Sequence, residues 1–244
     1  MKLLFSDYDN TLCVDTNVSY LNLEAIRNFR RNNNKFIITT GRSYDSIMKE
    51  IKKYDIEYDY LSCTDGLQLF NKNDVLLKKR FLKTEAIILL QKDIEDKYQI
   101  KGKTTISVND KHPQVLQYHY DVATLDNRVE LLEDINRKLQ YIDDVDSFMI
   151  DFSKTCKMIV IRPKGISKAI TVGDVVTLEA VDKNDVFAIG DHVNDLEMLE
   201  SADVNGFCRG EIREELQGKV LGSYESVSDL ITDIKYEKVL TKKR

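Results

Sequence analysis

The amino-acid sequence predicts an α/β chain, a doubly wound parallel sheet interrupted by a smaller α+β insert. Three observations predict it. Apolar, strand-like runs alternate with amphipathic helical stretches up to Gly66. Between that glycine and Pro163 the pattern changes to a hairpin and closely spaced strands. After Pro163-Lys164-Gly165 the first alternation returns.

Each element follows from its residues. Lys2 to Ser6 reads as a short buried strand, and Leu21 to Arg31 as a helix with Leu21, Leu23, Ile26 and Phe29 apolar. Phe36 to Thr40 is a β-rich run ended by Gly41, and Ser43 is placed to cap a helix carrying Ile47, Met48 and Ile51. Tyr58 to Cys63 is a third strand, closed by Asp65-Gly66. Leu67 to Phe70 and Val75 to Leu77, around Asn71-Lys72-Asn73-Asp74, form a hairpin signal. The insert then reads as a helix from Thr84 to Tyr98, strands at Thr104–Val108 and Gln114–Tyr120, and an amphipathic helix from Leu125 to Leu139. The strands Ser147–Asp151 and Lys157–Ile161 follow, close enough to pair antiparallel. Ser167 caps a helix reaching Glu179, Val186 to Ile189 is a strand ending in Gly190-Asp191, and Asn194 to Glu200 is a short helix. A weaker strand near Lys219 to Leu221 and a helix from Ser226 to Ile234 complete the pattern. Residues 1–80 and 163–244 are therefore expected to form the core domain, and 81–162 the insert.

Composition narrows the functional classes. The chain has 244 residues, 42% hydrophobic and 32% charged, which suits a globular fold with a well-buried core. Its formal net charge of −5 carries no nucleic-acid footprint. The one basic run, Lys242-Lys243-Arg244, is expected to be a frayed tail. Cys13, Cys63, Cys156 and Cys208 form no CxxC pair, so reduced thiols are expected rather than a zinc site or a disulfide framework. Three histidines, at 112, 119 and 192, give little support to a histidine metal centre. Met1 to Asp7 turns acidic too soon for a signal peptide, and no apolar stretch approaches the ~20 residues of a membrane span. The expectation is a cytoplasmic protein with no nucleic-acid or membrane partner. Its oligomeric state, monomer or homodimer, is undetermined by sequence.

In an open α/β sheet, ligands bind outside the carboxyl ends of the strands. Four segments there carry polar chemistry: Asp7-Tyr8-Asp9-Asn10-Thr11, Thr39-Thr40-Gly41-Arg42, Ser167-Lys168, and Gly190-Asp191-His192-Val193-Asn194-Asp195. Taken singly, each has a plain reading: a turn and helix cap, a strand stop, a surface lysine, an Asx-capped helix start. Taken together on one edge of a parallel sheet, they can converge. A carboxylate such as Asp7 can act as a covalent nucleophile. Residues two apart in extended backbone point the same way, so Asp9 can flank the same group. Carboxylates crowded together call for a hard cation with oxygen ligands, a demand that Mg²⁺ satisfies.

DxDxT, TGR, SK on a helix and GDxxND, in that order across the whole chain, resemble the four motifs of the haloacid dehalogenase-like (HAD) superfamily. The insert between the second and third motifs resembles the C2 cap of its Cof-type branch (subfamily IIB). The resemblance implies a Rossmann-like core and a cap that closes over the site and selects substrate. It implies a Mg²⁺-dependent phosphomonoester hydrolase working through an aspartyl phosphate on small phosphorylated metabolites, with sugar phosphates favoured. Asp7 would be the nucleophile, and Asp9 the acid and then the base, its carbonyl touching the metal. Asp191 and Asp195 would join Asp7 and Asp9 around the metal. Thr11, Thr40, Gly41, Arg42, Lys168 and Asn194 would face the substrate. His192 is a bystander in this reading, and Tyr118, Tyr120 and Tyr141 are core or surface residues. A phosphotransferase or mutase of the same fold is the nearer alternative, and a receiver-like signalling protein phosphorylated on aspartate the more distant one. Three departures stand out: Asn10 where the branch usually has glycine, Asp65-Gly66 where it commonly has Asn-Gly, and Gly206-Phe207-Cys208-Arg209-Gly210 in place of the usual small-residue and Asn-Ala pattern.

Overall fold

The computed structural model describes residues 1–142, 144–153, 156–201 and 204–239. The basic run 242–244 lies outside the described residues. The chain divides into two compact units, Met1–Lys78 with Ser167–Arg244, and Lys79–Ile166.

The first unit begins with β1 (Leu3–Asp7), a strand buried along its whole length, as a parallel strand covered on both faces must be. Two very short strands, β2 (Cys13–Val14) and β3 (Asn17–Val18), pair as a small hairpin absent from the sequence expectation. Helix α1 (Tyr20–Arg31) is capped by Ser19, whose side chain accepts from the Asn22 N–H, and Arg30 and Arg31 lie at its carbonyl end. β4 (Lys35–Thr39) leads to α2 (Tyr44–Tyr54), where Ser43 occupies the cap position without a side-chain hydrogen bond. β5 (Tyr60–Cys63), β6 (Gln68–Asn71) and β7 (Leu76–Lys79) follow, β5 and β6 pairing antiparallel.

The second unit is an α+β layer. The helix expected over Thr84 to Tyr98 forms as α3 (Thr84–Leu89), a π-helical segment (Leu90–Glu95) and α4 (Asp96–Tyr98). Strands β8 (Lys103–Ile106) and β9 (Val115–Asp121), helix α5 (Arg128–Leu139), and strands β10 (Val145–Ser153) and β11 (Cys156–Pro163) complete it. The sheet order is β10-β11-β9-β8, with antiparallel pairs throughout. Ala86, Leu90, Ile94, Leu131, Ile135 and Ile159 pack with Tyr118 and Tyr120 into this unit's own core. Tyr141 is exposed.

The chain then returns to the first unit through α6 (Lys168–Glu179), β12 (Val186–Gly190), α7 (Leu196–Glu200), β13 (Asn205–Arg209), β14 (Ser223–Tyr224) and α8 (Val227–Lys235). The sheet order of the first unit is β14-β13-β12-β1-β4-β5-β6-β7. The pairs from β14 to β5 are parallel, so the sheet is mainly parallel with an antiparallel edge. Leu3, Phe5, Ile37, Val175, Ala188 and Leu199 are among its fully buried core residues. The strand expected near Lys219–Leu221 forms slightly later, as β14 (Ser223–Tyr224), while Leu221 donates its N–H to the Gly206 carbonyl at 2.9 Å; β13, between β14 and β12, has no counterpart in the sequence expectation. Among the described residues, no helix is long and apolar enough to cross a membrane.

Candidate active site

β1 and β12 lie side by side and parallel, so their carboxyl ends deliver Asp7 and Asp191 to the same edge of the sheet. After β1 the chain reverses tightly. The N–H groups of Leu12 and Cys13 both donate to the Tyr8 carbonyl, and Asn10 takes a left-handed conformation with φ of 56°. This turn places buried Thr11 so that its hydroxyl donates to Asp191 Oδ1 at 3.2 Å.

Past β12, a 3-10 turn (Val193–Asp195) folds Asp195 back onto the strand end. Asp195 Oδ2 accepts the N–H groups of Asp191 and His192, each at 3.1 Å. Gly190 is required here, because a Cβ would come within 2.5 Å of the Asp195 carboxyl carbon. His192 contributes its backbone, and its side chain is exposed. Asn194, on the same turn, is also exposed.

Lys168, the first residue of α6, is only 1% exposed. Its ammonium donates to Asp7 Oδ1 and, at 2.6 Å, to Asp195 Oδ1. Oxygen atoms of Asp7, Asp191 and Asp195 all lie within 4.8 Å of one another, the described group able to share one cation. The chemistry of this donor set, three buried carboxylates, fits a hard divalent ion. The electrostatics agree. Burial, then the neighbouring Asp195 charge, pushes the Asp7 carboxyl up to about 8, with Lys168 pulling the other way. Burial and Asp195 likewise push Asp191 up. Burial alone would lower the Lys168 ammonium, but Asp7 and Asp195 more than offset it and hold it above its ordinary value.

The remaining residues form the rim. Asp9 is turned to Arg42, which grips it with two hydrogen bonds, Nε to Oδ2 at 2.8 Å and a terminal nitrogen to Oδ1 at 2.7 Å. The hydrogen bond to Asp9 raises the Arg42 guanidinium above its ordinary value. Arg42 also lies 5.0 Å from the centre of the Tyr8 ring. Thr40 is buried and accepts the Arg42 N–H on its hydroxyl oxygen at 3.1 Å, so its own proton is available to another acceptor. Gly41 lies against Asp65, whose carboxylate oxygen would meet an added Cβ at 3.2 Å. Thr64, Asp65 and Gly66 all have positive φ, and this turn is tied to the Thr40–Arg42 segment by Thr64 N–H to Arg42 carbonyl and Asp65 N–H to Thr40 carbonyl bonds.

The first unit thus brings Asp7, Thr11, Lys168, Asp191 and Asp195 into direct contact, and sets Asp9 with Arg42 beside them. One contact had no sequence signal: Arg213, in the loop after β13, donates to Asp191 Oδ2 at 3.4 Å. An arginine inside Glu211-Ile212-Arg213-Glu214-Glu215 reads as a surface residue, and the sheet order alone puts it beside β12.

The mainly parallel sheet thus carries an acid at the end of β1 with a second acid two residues on, a lysine opening a later helix and an acidic turn after β12. The family model described as haloacid dehalogenase-like hydrolase matches residues 4–218, most of the chain. The chain belongs to that family and is an enzyme of this hydrolase class. It is 23% identical to the 5-amino-6-(5-phospho-D-ribitylamino)uracil phosphatase YcsE of Bacillus subtilis (strain 168), over 97% of this chain and 92% of that protein. Two solved structures show the same fold. A haloacid dehalogenase-like hydrolase from Bacteroides thetaiotaomicron superposes with a TM-score of 0.78 at 16% identity, covering 96% of this chain and 99% of that one. The subclass IIB sugar phosphatase BT4131 superposes with a TM-score of 0.70 at 14% identity, covering 98% and 100%.

Proposed function

We propose that the chain is a Mg²⁺-dependent phosphomonoester hydrolase acting on small phosphorylated metabolites, with sugar phosphates the favoured class. The observation that carries this reading is the buried Asp7, held by Lys168 at the end of β1 and followed two residues later by the more accessible acid Asp9. A nucleophile needs fixed geometry, and an acid–base group needs room to move.

In the proposed first step an Asp7 oxygen attacks phosphorus, and the bond from phosphorus to the substrate oxygen breaks. Asp9, 49% exposed at its side chain, leaves its Arg42 contact, takes up a proton from solvent and gives it to the leaving oxygen. In the second step Asp9 takes a proton from water, which attacks the phosphorus and frees the Asp7 carboxylate and inorganic phosphate. Lys168 balances charge on the phosphoryl oxygens, and the Thr40 hydroxyl donates a hydrogen bond to them. Thr11 and the backbone of the Asp191–Asp195 turn keep the acids in register. Asp7, Asp191 and Asp195 would hold Mg²⁺, with the Asp9 carbonyl as a further oxygen. When bound, the ion neutralises charge and polarises the phosphoryl group.

The substrate class rests on the relatives, one named for a phosphorylated ribitylamino compound and another for sugar phosphates. We assign selection of the organic group to the insert, residues 81–162, and place the enzyme in the reducing cytoplasm, which suits four free cysteines. The test is inorganic phosphate release from an aryl phosphate, with and without MgCl₂, for wild type and Asp7→Asn. Metal-dependent release that disappears in the variant supports the reading. Release indifferent to Asp7 overturns it, and transfer of the phosphoryl group to an added alcohol without net release marks a phosphotransferase.

A further inference from the structure

We propose that Arg213 is a positioning residue that competes with the divalent cation for Asp191. The inference rests on the reading that Asp7, Asp191 and Asp195 hold such a cation.

The acids of the cluster are not equally committed. Asp195 uses Oδ1 for Lys168 and Oδ2 for two backbone N–H groups, all of them internal to the fold. Asp191 is different. Its Oδ1 accepts from Thr11, a buried neighbour on the turn after β1. Its Oδ2 faces Arg213, whose side chain is 49% exposed. Asp191, one of the three acids of the cluster, is thus held through one of its oxygens by a side chain with access to solvent.

The local backbone suits a fixed pivot with a swinging side chain. Arg213 opens a 3-10 turn (Glu214–Leu216), and its carbonyl accepts the Leu216 N–H at 2.9 Å. Leu216 is fully buried in the core of the first unit. The arginine backbone is thus anchored, while its guanidinium reaches Asp191 over the surface. Glu211, Glu214 and Glu215 flank it in sequence, so a released guanidinium has carboxylates nearby. A divalent ion on Asp191 would place like charges together, and the arginine, not the buried Lys168, is the group free to leave.

Arg213 on this reading lowers the affinity for the cation and supplies a counter-charge to Asp191 when the cation departs. Titrating MgCl₂ into the full-length protein by isothermal calorimetry tests this, with Arg213→Gln, Arg213→Lys and, as a charge control, Arg31→Gln on the exposed face of α1. The expected result is binding tighter by about two- to fivefold for Arg213→Gln, the scale of a half-exposed ion pair. Arg213→Lys should stay within about twofold of wild type, and Arg31→Gln should match wild type. Equal or weaker binding by Arg213→Gln overturns the competition, as does an equal gain from Arg31→Gln. Absence of Mg²⁺ binding by wild type overturns the cation reading and this proposal together, whereas wild-type binding with an unchanged Arg213→Gln overturns this proposal alone.

Discussion

The two ends of the same sheet treat buried aspartates in opposite ways. At the amino end of β5, Asp59 is surrounded by donors: Arg30 Nε at 2.8 Å and a second Arg30 nitrogen at 3.2 Å, the Phe36 N–H at 3.1 Å, and Lys35 at 3.9 Å. At the carboxyl end, three carboxylates share one buried ammonium and one half-exposed guanidinium. A carboxylate that serves the fold is saturated by cations and N–H groups on the spot. A cluster of candidate catalytic acids is left short of cations, and a divalent ion is what would make up that shortfall.

The contrast can be broken by substitution at either end. Asp7→Asn removes the proposed nucleophile and should lower turnover at least about a thousandfold in phosphate-release assays. Asp59→Asn should leave the rate per folded molecule nearly unchanged and lower the denaturant midpoint instead. If both variants lost activity alike, the distinction between the two ends would fail. Lys168→Met is the next largest effect. It leaves Asp7 and Asp195 buried together without their shared cation, so urea unfolding should show a loss of about 3–5 kcal/mol.

The pH dependence sharpens the same point. Burial and Asp195 hold the Asp7 carboxyl up to about 8. A carboxyl raised in the folded state binds its proton more tightly there than in the unfolded chain. Between its ordinary value of 3.8 and about 8 the folded protein therefore carries more protons, and its stability falls as pH rises. A cation bound to the ionised acids offsets that loss. The gain in Tm from millimolar MgCl₂ should accordingly be larger near pH 8 than near pH 5, and in Asp7→Asn this pH dependence should flatten. A gain that is the same at both pH values would place the ion elsewhere.

Much of this architecture is legible in the sequence. β1, α1, β4, α2 and β12 follow from apolar runs with clear stops, and the four polar segments at strand ends mark the edge where the site lies. What escaped had physical reasons. β13 contains Gly206 and no β-branched residue, so it reads as loop; yet that glycine is demanded by packing, since a Cβ there would come within 2.1 Å of the Leu199 carbonyl oxygen. The burial of Lys168 is invisible locally, because a lysine at a helix start is exposed unless a neighbouring strand delivers carboxylates to it. The grip of Arg42 on Asp9 joins residues 33 apart in sequence, and Arg213 reaches Asp191 only because β13 lies beside β12.

The smallest effect concerns Asn10, the departure within the first motif. Its φ of 56° lies in the left-handed region, and the turn around it is pinned by the Leu12 and Cys13 N–H groups on the Tyr8 carbonyl. Asparagine tolerates that conformation and a β-branched residue does not. Asn10→Val should cost about 1–2 kcal/mol in urea unfolding, whereas Asn10→Gly should stay within about 0.5 kcal/mol of wild type. Because Asn10 is exposed, any loss of stability in Asn10→Val belongs to the backbone rather than to packing. The turn also fixes the angle between Asp9 and Thr11, so Asn10→Val should lower turnover in step with its stability, and Asn10→Gly should retain both. If Asn10→Gly lost activity while keeping its stability, the asparagine side chain itself would have a part in the chemistry, and the turn could no longer be read as a mere spacer between the two acids and the hydroxyl.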